Sequence, residues 1–475
     1  MSVSSQEAPD FGQLRDDRVA TLILAGIIVT APLPYALIDP GPLGIVVAAL
    51  SLALLCCKPT LHGKGDWSLA GCLMAVCAGY AFVVWQQLSP DFWPVFQPDN
   101  VWRQMSDLLK NGADVAPRLS VVRNQPLFAL GNTLACLASV TCACIVSRNQ
   151  RNAEQLLKVL AWSGVAYAVY GIGAYMVSPE FVLFREKVLY RNVLTSTFMN
   201  RNTAALYFGT CAVLWALFFA RDLHRRHIVR HGEWRFGKLR WDWKLGGQCT
   251  CFLLCILAMM LTGSRGGVAI SCAGIVAAVL VLLRRELDSA RARRWAVGTI
   301  LVGAGLALLL FGGQVTERLS EHGLTGGGRW QAYLSTVRMI ADHPMLGTGL
   351  GTFVYIFPRY RSGDVSIWGI WDKAHNTLLE LAAEMGLPLA ILVSLAWLIV
   401  LVLLFQGISQ RRSGAIYPIA GLTCGGMALL HSMADFSFQI PGFAITAMVL
   451  VGIGLGQRKP DNKRQKPPRQ VLRQG

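Results

Sequence analysis

The sequence contains few charged residues. Charged side chains make up 15% of its 475 residues, whereas soluble domains carry about 25%. Hydrophobic residues make up 53%, and the mean hydropathy is +0.44. This shortage of charge excludes an ordinary soluble protein. Repeated apolar runs, long enough to cross a bilayer, predict an all-α polytopic membrane protein.

The long polar stretches lack cysteine. All 13 cysteines fall inside the predicted apolar runs, so no disulfide framework is expected. Close pairs such as Cys142 and Cys144 lack the polar surroundings of a zinc site. The N-terminal segment does not resemble a cleavable signal peptide, so we expect the first apolar run to be retained.

The apolar runs predict about twelve membrane-spanning helices. We expect one transmembrane domain over residues 19–456, between an N-terminal tail (1–18) and a basic C-terminal tail (457–475). The predicted spans are 19–38, 41–57, 68–85, 126–146, 156–177, 203–220, 245–263, 267–283, 295–312, 386–405, 415–433 and 442–456.

The basic residues predict the orientation. If the N-terminus is cytoplasmic, 29 of the 44 Lys and Arg residues fall in the short cytoplasmic loops and the two tails. An even helix count then places both termini in the cytoplasm. The net charge of +17 is explained by topology and by contact with anionic membrane lipids. It does not indicate nucleic-acid binding, because the basic residues are divided among short loops and a tail.

Three longer segments lie on the outer side in this topology: 86–125, 178–202 and 313–385. The last one follows the ninth span, and we expect it to carry short helices and the function. Arginine accounts for 12 of the 15 basic residues on this side. Because guanidinium groups suit phosphate, these arginines indicate a phosphate- or diphosphate-bearing ligand. The alternative is ordinary salt bridges with loop carboxylates.

Two arginines accompany glycines. Arg265 lies in the short turn LTGSRGG between two apolar runs, where an unpartnered charge is costly. The neighbouring glycines allow a ligand to approach the backbone. The alternative is that Arg265 extends to the membrane interface. Arg329 lies in TGGGRWQAY, for which a disordered loop is the alternative. The run GTGLG (347–351) follows no predicted strand, so we expect a rigid turn and no dinucleotide site.

A histidine and two carboxylates precede the tenth apolar run, in WDKAHNTLLELAAEMG (371–386). His375 is placed near a helix N-terminus, where a neutral imidazole can take a proton from a sugar hydroxyl. Asn376 and Glu380 are spaced to share a helix face. A helix cap or an interface contact is the alternative for His375. A metal site with Asp372 lacks an obvious third ligand, so no metal is expected.

Five segments together resemble the bacterial O-antigen ligases and the related O-antigen polymerases. They are TSTFMNRNTAALYFG, GSRGG, GGRW with the following HPMLGTGLGTF, the His-Asn pair nine residues before Gly386, and HSMADFSFQIPGF. The resemblance spans residues 195 to 443. It implies a membrane glycosyltransferase of the C type in the bacterial inner membrane, with its active site facing the periplasm.

The resemblance also implies the reaction and the site. A glycan would move from undecaprenyl diphosphate to a hydroxyl of lipid A-core, with inversion and without a metal or cofactor. A repeat-unit polymerase, with a glycan acceptor, is the alternative. His375 would be catalytic, as would Arg265 on the diphosphate. The further candidates for substrate binding are Arg191, Arg201, Arg329, Asn376 and Glu380. A membrane transporter is the alternative of another class, but it should place ionisable residues at mid-membrane depth.

Overall fold

A computed structural model describes residues 16–59, 63–96, 101–109, 116–231, 242–283, 328–363, 365, 370–411 and 414–459. The predicted span 295–312 lies outside these residues, as do most of both predicted tails.

The described residues form fifteen α-helices, two short 3₁₀ turns and one small hairpin. The helices are α1 (Asp17–Thr30), α2 (Pro40–Cys56), α3 (Lys64–Leu88), α4 (Val101–Leu108), α5 (Gln125–Val146), α6 (Gln150–Val177), α7 (Arg201–His231), α8 (Trp243–Leu261), α9 (Arg265–Leu283), α10 (Gly328–Asp342), α11 (Phe353–Tyr360), α12 (Thr377–Met385), α13 (Leu387–Gln410), α14 (Ile416–Ser432) and α15 (Pro441–Gly456). The 3₁₀ turns are Tyr35–Leu37 and Ser437–Gln439, and the hairpin pairs β1 (Phe181–Val182) with β2 (Arg185–Glu186).

Seven of the described helices are long and apolar enough to cross a membrane, namely α3, α5, α6, α7, α8, α9 and α13. The apolar helices α2 and α15 are shorter. These helices confirm an all-α membrane fold. The total of twelve spans stays a prediction, since one predicted span lies outside the described residues.

The first predicted span, 19–38, is wrong as a single helix. α1 ends at Thr30, and the chain then turns through Pro32 and Pro34 into the 3₁₀ turn Tyr35–Leu37. Proline donates no backbone hydrogen bond, so Pro32 and Pro34 remove two donors that a continuing helix would need, and the helix ends. A hydropathy profile alone does not show that the helix ends here.

α7 lies at the centre of the bundle. Its apolar window is 89% buried, against 17% for α3 and α13. It packs against α6, α8, α9 and α14, and Tyr207 and Phe208 are among its fully buried side chains. Because other helices enclose it, α7 forms a fixed support for the residues at its N-terminus.

Three short helices, α10, α11 and α12, lie between the long helices α9 and α13 and form a small layer of their own. Their buried residues include Ala332, Met339, Phe353, Phe357 and Ala383. α12 continues into α13 through Gly386, so this layer is tied directly to a membrane-spanning helix.

The glycine run 347–351 wraps around a buried carboxylate. Glu384 accepts hydrogen bonds from the backbone N–H groups of Gly351 (2.9 Å) and Phe353 (2.8 Å). Gln87 of α3 donates to the carbonyl oxygens of Leu346 and Glu384. Buried carboxylates must be hydrogen-bonded to be tolerated, and the two backbone donors meet this need. The run is therefore a structural turn, as expected from the sequence.

Two glycines allow the chain to cross itself beside this carboxylate. Gly347 has φ +67° and lies against the backbone of Glu384, and Gly386 has φ +83° and lies against the backbone of Met345. A Cβ atom at either position would collide with main-chain atoms, which cannot rotate away. Both positions therefore require glycine.

The stability of this crossing should depend on pH. Burial, and next the neighbouring charge of Glu380, raise the pKa of Glu384 to about 7. A carboxyl whose pKa is raised by folding binds its proton more tightly in the folded state, so stability falls as the pH rises from about 4.5 to about 7. We expect the melting temperature of the purified protein to fall more steeply over this range than that of Glu384→Gln. Parallel pH profiles for the two proteins would contradict this assignment.

Candidate functional site

One cavity, with a volume of about 270 Å³, opens where four elements end. These are the N-terminus of α7, the turn between α8 and α9, the N-terminus of α10 and the C-terminus of α14. The lining residues are Tyr190, Arg201, Asn202, Gly263, Ser264, Arg265, Gly266, Ile270, Arg329, His431, Ala434 and Asp435. Arginine and other polar residues predominate, which is unusual beside apolar helices.

The turn between α8 and α9 places Arg265 at the first position of α9. Gly263 takes a positive φ of +61° and so reverses the chain in three residues. The Ser264 hydroxyl accepts a hydrogen bond from Gly267 N–H (3.3 Å) and donates one to Asn202 Oδ1 (2.7 Å). The N-terminus of α9 therefore faces the cavity beside a guanidinium group. Helix N-termini favour anions, so both features attract negative charge.

Two further arginines line the same cavity. The Arg201 guanidinium lies 5.0 Å from the centre of the Tyr190 ring, and its Nε atom is buried without a hydrogen-bond partner. Arg329 donates to the carbonyl oxygen of Ala434 at 3.0 Å. The structure thus brings together Arg201, Arg265 and Arg329, which are far apart in sequence.

Arg191 is placed outside this lining. It forms an ion pair with Glu186 at 2.8 Å, donates to the backbone of Lys187 and is 53% exposed. Its neighbour Tyr190 lines the cavity instead. Arg191 secures the loop that carries Tyr190, and a direct contact with substrate stays a prediction.

Asp435 lies in the turn after α14 and is almost completely buried. One carboxylate oxygen accepts a hydrogen bond from the Asn202 amide, and the other accepts one from Phe436 N–H (2.7 Å). Burial opposes ionisation, but the nearby His375 imidazole, this N–H group and the positive charge of Arg329 hold the pKa of Asp435 below its ordinary value. Asp435 is therefore an anion at neutral pH.

The imidazole of His375 faces this carboxylate, with 3.6 Å between Nδ1 and Asp435 Oδ1. Contacts of this length commonly tighten when a substrate fills the site. The His375 ring lies between the rings of Trp371 (5.7 Å) and Phe436 (5.0 Å). Its side chain is 23% exposed. His375 itself is not among the lining residues and lies behind Asp435.

The backbone of His375 is strained. Its φ of +54° lies in the left-handed region, which non-glycine residues enter at a cost of about 1–3 kcal/mol. Tyr333 of α10 donates a hydrogen bond to the His375 carbonyl oxygen at 3.0 Å. Tyr333 is one helical turn from Arg329, so α10 supports both the histidine and the turn that carries Asp435.

Asn376 and Glu380 hold the loop of His375. Asn376 caps α12 by accepting hydrogen bonds from the backbone N–H groups of Leu378 and Leu379, each 3.1 Å away, and its amide donates to the Met433 carbonyl oxygen. Glu380 accepts from Ala374 N–H (2.7 Å) and pairs with Lys373 (3.2 Å). Neither residue lines the cavity, so their predicted contact with substrate remains untested.

Four residues of the site were not singled out by sequence reasoning: Asn202, Ser264, His431 and Asp435. For Asp435 a signal exists, because it is the only acidic residue between two apolar helices, α14 and α15. A carboxylate at a membrane boundary is as informative as the arginine of the GSRGG turn. Asn202 and Ser264 carry no comparable signal, since polar residues commonly begin helices.

Chemically, the site combines a cavity rich in positive groups with an imidazole beside its buried carboxylate. The described residues include no group of three or more His, Cys, Asp or Glu side chains placed to hold a metal ion. The positive groups that face the cavity are guanidinium groups and the N-terminus of α9. A membrane protein with such a site is suited to a ligand that carries phosphate.

A comparison with protein families finds one similarity. The O-antigen ligase family model (Wzy_C) matches residues 250–394. The match includes Arg265, Arg329 and His375 and ends before Asp435. It confirms the resemblance to the O-antigen ligase and polymerase superfamily and implies a glycosyltransferase-type activity. The chain has no significant match among curated proteins.

The cavity should bind inorganic diphosphate through its arginines. We expect diphosphate to raise the melting temperature of the purified protein. Arg201→Ala and Arg265→Ala should each weaken binding about ten- to a hundredfold, the usual effect of losing a hydrogen bond to a charged group. Arg265→Lys should also weaken it, because lysine lacks the fork of donors. Arg103→Ala is the matched control and should bind normally, because Arg103 is an exposed arginine of α4 that does not line the cavity. If Arg103→Ala weakens binding as much as Arg265→Ala, the anion binds elsewhere.

Proposed function

We propose that the protein transfers a glycan from undecaprenyl diphosphate to a hydroxyl group of an acceptor, with lipid A-core as the preferred acceptor. The observation that carries this proposal is that three arginines and Asp435 line one cavity, with the His375 imidazole 3.6 Å from the Asp435 carboxylate. The arginines suit the diphosphate of the donor, and the imidazole suits the acceptor hydroxyl. The match to the O-antigen ligase family supports the same reaction class.

The reaction would proceed in one displacement. The acceptor oxygen attacks the anomeric carbon of the donor sugar and forms the new glycosidic bond. The bond between that carbon and the diphosphate oxygen breaks, so the configuration at the carbon inverts. The hydroxyl proton passes to His375. Because Nδ1 of this histidine faces Asp435, Nε2 is the nitrogen that accepts the proton. Asp435 stabilises the imidazolium that forms, by an arrangement similar to that of other carboxylate–histidine pairs.

The diphosphate leaving group gains negative charge as the bond breaks. Arg201, Arg265 and Arg329 line the cavity that would receive it, and the N-terminus of α9 adds a partial positive charge. Groups that are already oriented need no reorganisation during the reaction, so they stabilise the departing anion efficiently. Fixed guanidinium groups could thus replace a divalent ion, and we propose a reaction that needs no metal.

The proposed setting is the bacterial inner membrane, with both termini in the cytoplasm and the cavity facing the periplasm. The support for this orientation is the concentration of 29 of the 44 Lys and Arg residues in the predicted cytoplasmic segments. The cavity lies at the end of the bundle that carries the α10–α12 layer. This end corresponds to the predicted outer segment 313–385.

The transfer reaction should depend on His375 more than on the other imidazole, His431, at the cavity. His375→Ala should lower the transfer rate about 10²–10⁴-fold, as is usual for loss of a general base. Asp435→Asn should lower the transfer rate less and should shift the pH dependence of that rate, because the amide cannot stabilise the imidazolium. Diphosphate binding should survive in His375→Ala. The rate should also persist after exhaustive chelation.

His431→Asn is the matched comparison for this assay, and it should retain most of the activity. If His431→Asn lost more transfer activity than His375→Ala, His431 would be the residue that accepts the proton. A rate that chelation abolishes and Mg²⁺ or Mn²⁺ restores would refute the metal-independent reaction.

Ligation and polymerisation differ only in the acceptor. A deletion strain distinguishes them through its lipopolysaccharide banding pattern. If the protein is a ligase, all polymer on lipid A-core should be lost, and plasmid-borne wild type but not His375→Ala should restore it. Loss of the ladder beyond one repeat unit would instead identify the polymerase, and an unchanged pattern would contradict both.

A further inference from the structure

A small hairpin next to the cavity exposes large apolar side chains. β1 and β2 are joined by Leu183 and Phe184, and Phe184 at the tip is 94% exposed. Val188 (82%) and Leu189 (66%) follow immediately. Exposing several such side chains to water is unfavourable by about 1.5–3 kcal/mol each relative to burial. We call Phe184, Val188 and Leu189 the hairpin patch.

The hairpin is firmly held, so this exposure is not a result of loose packing. Arg185 pairs with Asp39 at 2.8 Å and lies 3.9 Å from the centre of the Tyr35 ring. Val182 and Lys187 are buried, and the Lys187 ammonium group donates to the Val193 carbonyl oxygen at 3.0 Å. These polar contacts anchor the backbone on one side while the patch side chains remain uncovered. An apolar environment must therefore be supplied from outside the described chain.

The hairpin patch is continuous with two other surfaces. On one side it follows the end of the membrane-crossing helix α6, where Met176 and Val177 are 78% and 85% exposed. On the other side Leu189 is bonded to Tyr190, whose ring lines the cavity and lies against Arg201. Along the chain, the patch therefore lies between a lipid-facing helix and a residue of the positively charged cavity. A molecule in which an apolar chain is joined directly to a diphosphate matches this sequence of surfaces.

We propose that the hairpin patch is the binding surface for the isoprenoid chain of a polyprenyl diphosphate. The diphosphate lies in the arginine cavity, the first isoprene units pass Tyr190, and the chain continues over Leu189, Val188 and Phe184 towards the bilayer. This assignment rests on the proposed function, because it assumes a lipid-linked donor. It adds the surface that distinguishes such a donor from a free diphosphate or a sugar nucleotide.

The test compares undecaprenyl diphosphate with inorganic diphosphate as ligands of the purified protein in detergent. The wild type should bind the lipid form more tightly. A variant with Phe184→Ser, Val188→Ser and Leu189→Ser should bind the lipid form about ten- to a hundredfold more weakly, from the loss of apolar contacts. It should bind inorganic diphosphate normally, which also shows that the cavity is intact. Phe128→Ser is the matched control, since Phe128 is 72% exposed on α5, a helix that contributes no cavity residue.

Three outcomes would overturn the proposal. The triple variant could retain the wild-type preference for the lipid form, which would leave the patch as a contact with bulk bilayer only. Phe128→Ser could lose the preference equally, which would make the effect nonspecific. The triple variant could lose both ligands together, which would place the damage in the cavity. Binding is measured without acceptor, so a wild type that prefers the lipid form but transfers no glycan would contradict the proposed function and leave this proposal standing.

Discussion

The buried carboxylate of Asp435 is the contact on which the rest of the site depends. Asn202 at the N-terminus of α7 donates to it, and the His375 imidazole faces it from the loop before α12. Ser264 binds the same Asn202 from the α8–α9 turn. A buried anion is tolerated only when its hydrogen bonds are complete, so these partners cannot be moved independently. One acidic side chain thus sets the position of both the histidine and the arginine turn.

The strained histidine shows how this arrangement is maintained. A left-handed backbone at His375 persists only when its surroundings impose it. α10 does so from one side, through Tyr333, and the Asn376 cap does so from the other by binding the Met433 carbonyl oxygen. The Glu384 crossing lies at the far end of α12 and fixes that helix against α3. Thus the acidic residues of α12 position the loop of His375 through hydrogen bonds at both ends of that helix.

The sequence predicts the class of fold well, because apolar periodicity and length report directly on membrane spans. It also singles out Arg265 and Arg329, which line the cavity, and His375, which lies beside Asp435, because each combines a charge or an imidazole with an unusual local setting. It does not distinguish Arg191 from Arg201, since both are predicted to be outer-side arginines. Only the folded loop shows the difference, because it turns Tyr190 towards the cavity and leaves Arg191 outside the lining. Asn202 and Asp435 meet across more than two hundred residues. No local pattern encodes such a contact.

The charges that line the cavity indicate which kind of ligand it suits. Its lining contains three guanidinium groups and one carboxylate, and that carboxylate is already engaged by Asn202 and Phe436 N–H. Opposite charges attract strongly in a confined, partly dehydrated space, so an entering dianion would gain from this lining. The excess of arginine over carboxylates in this lining therefore favours a ligand that carries negative charge.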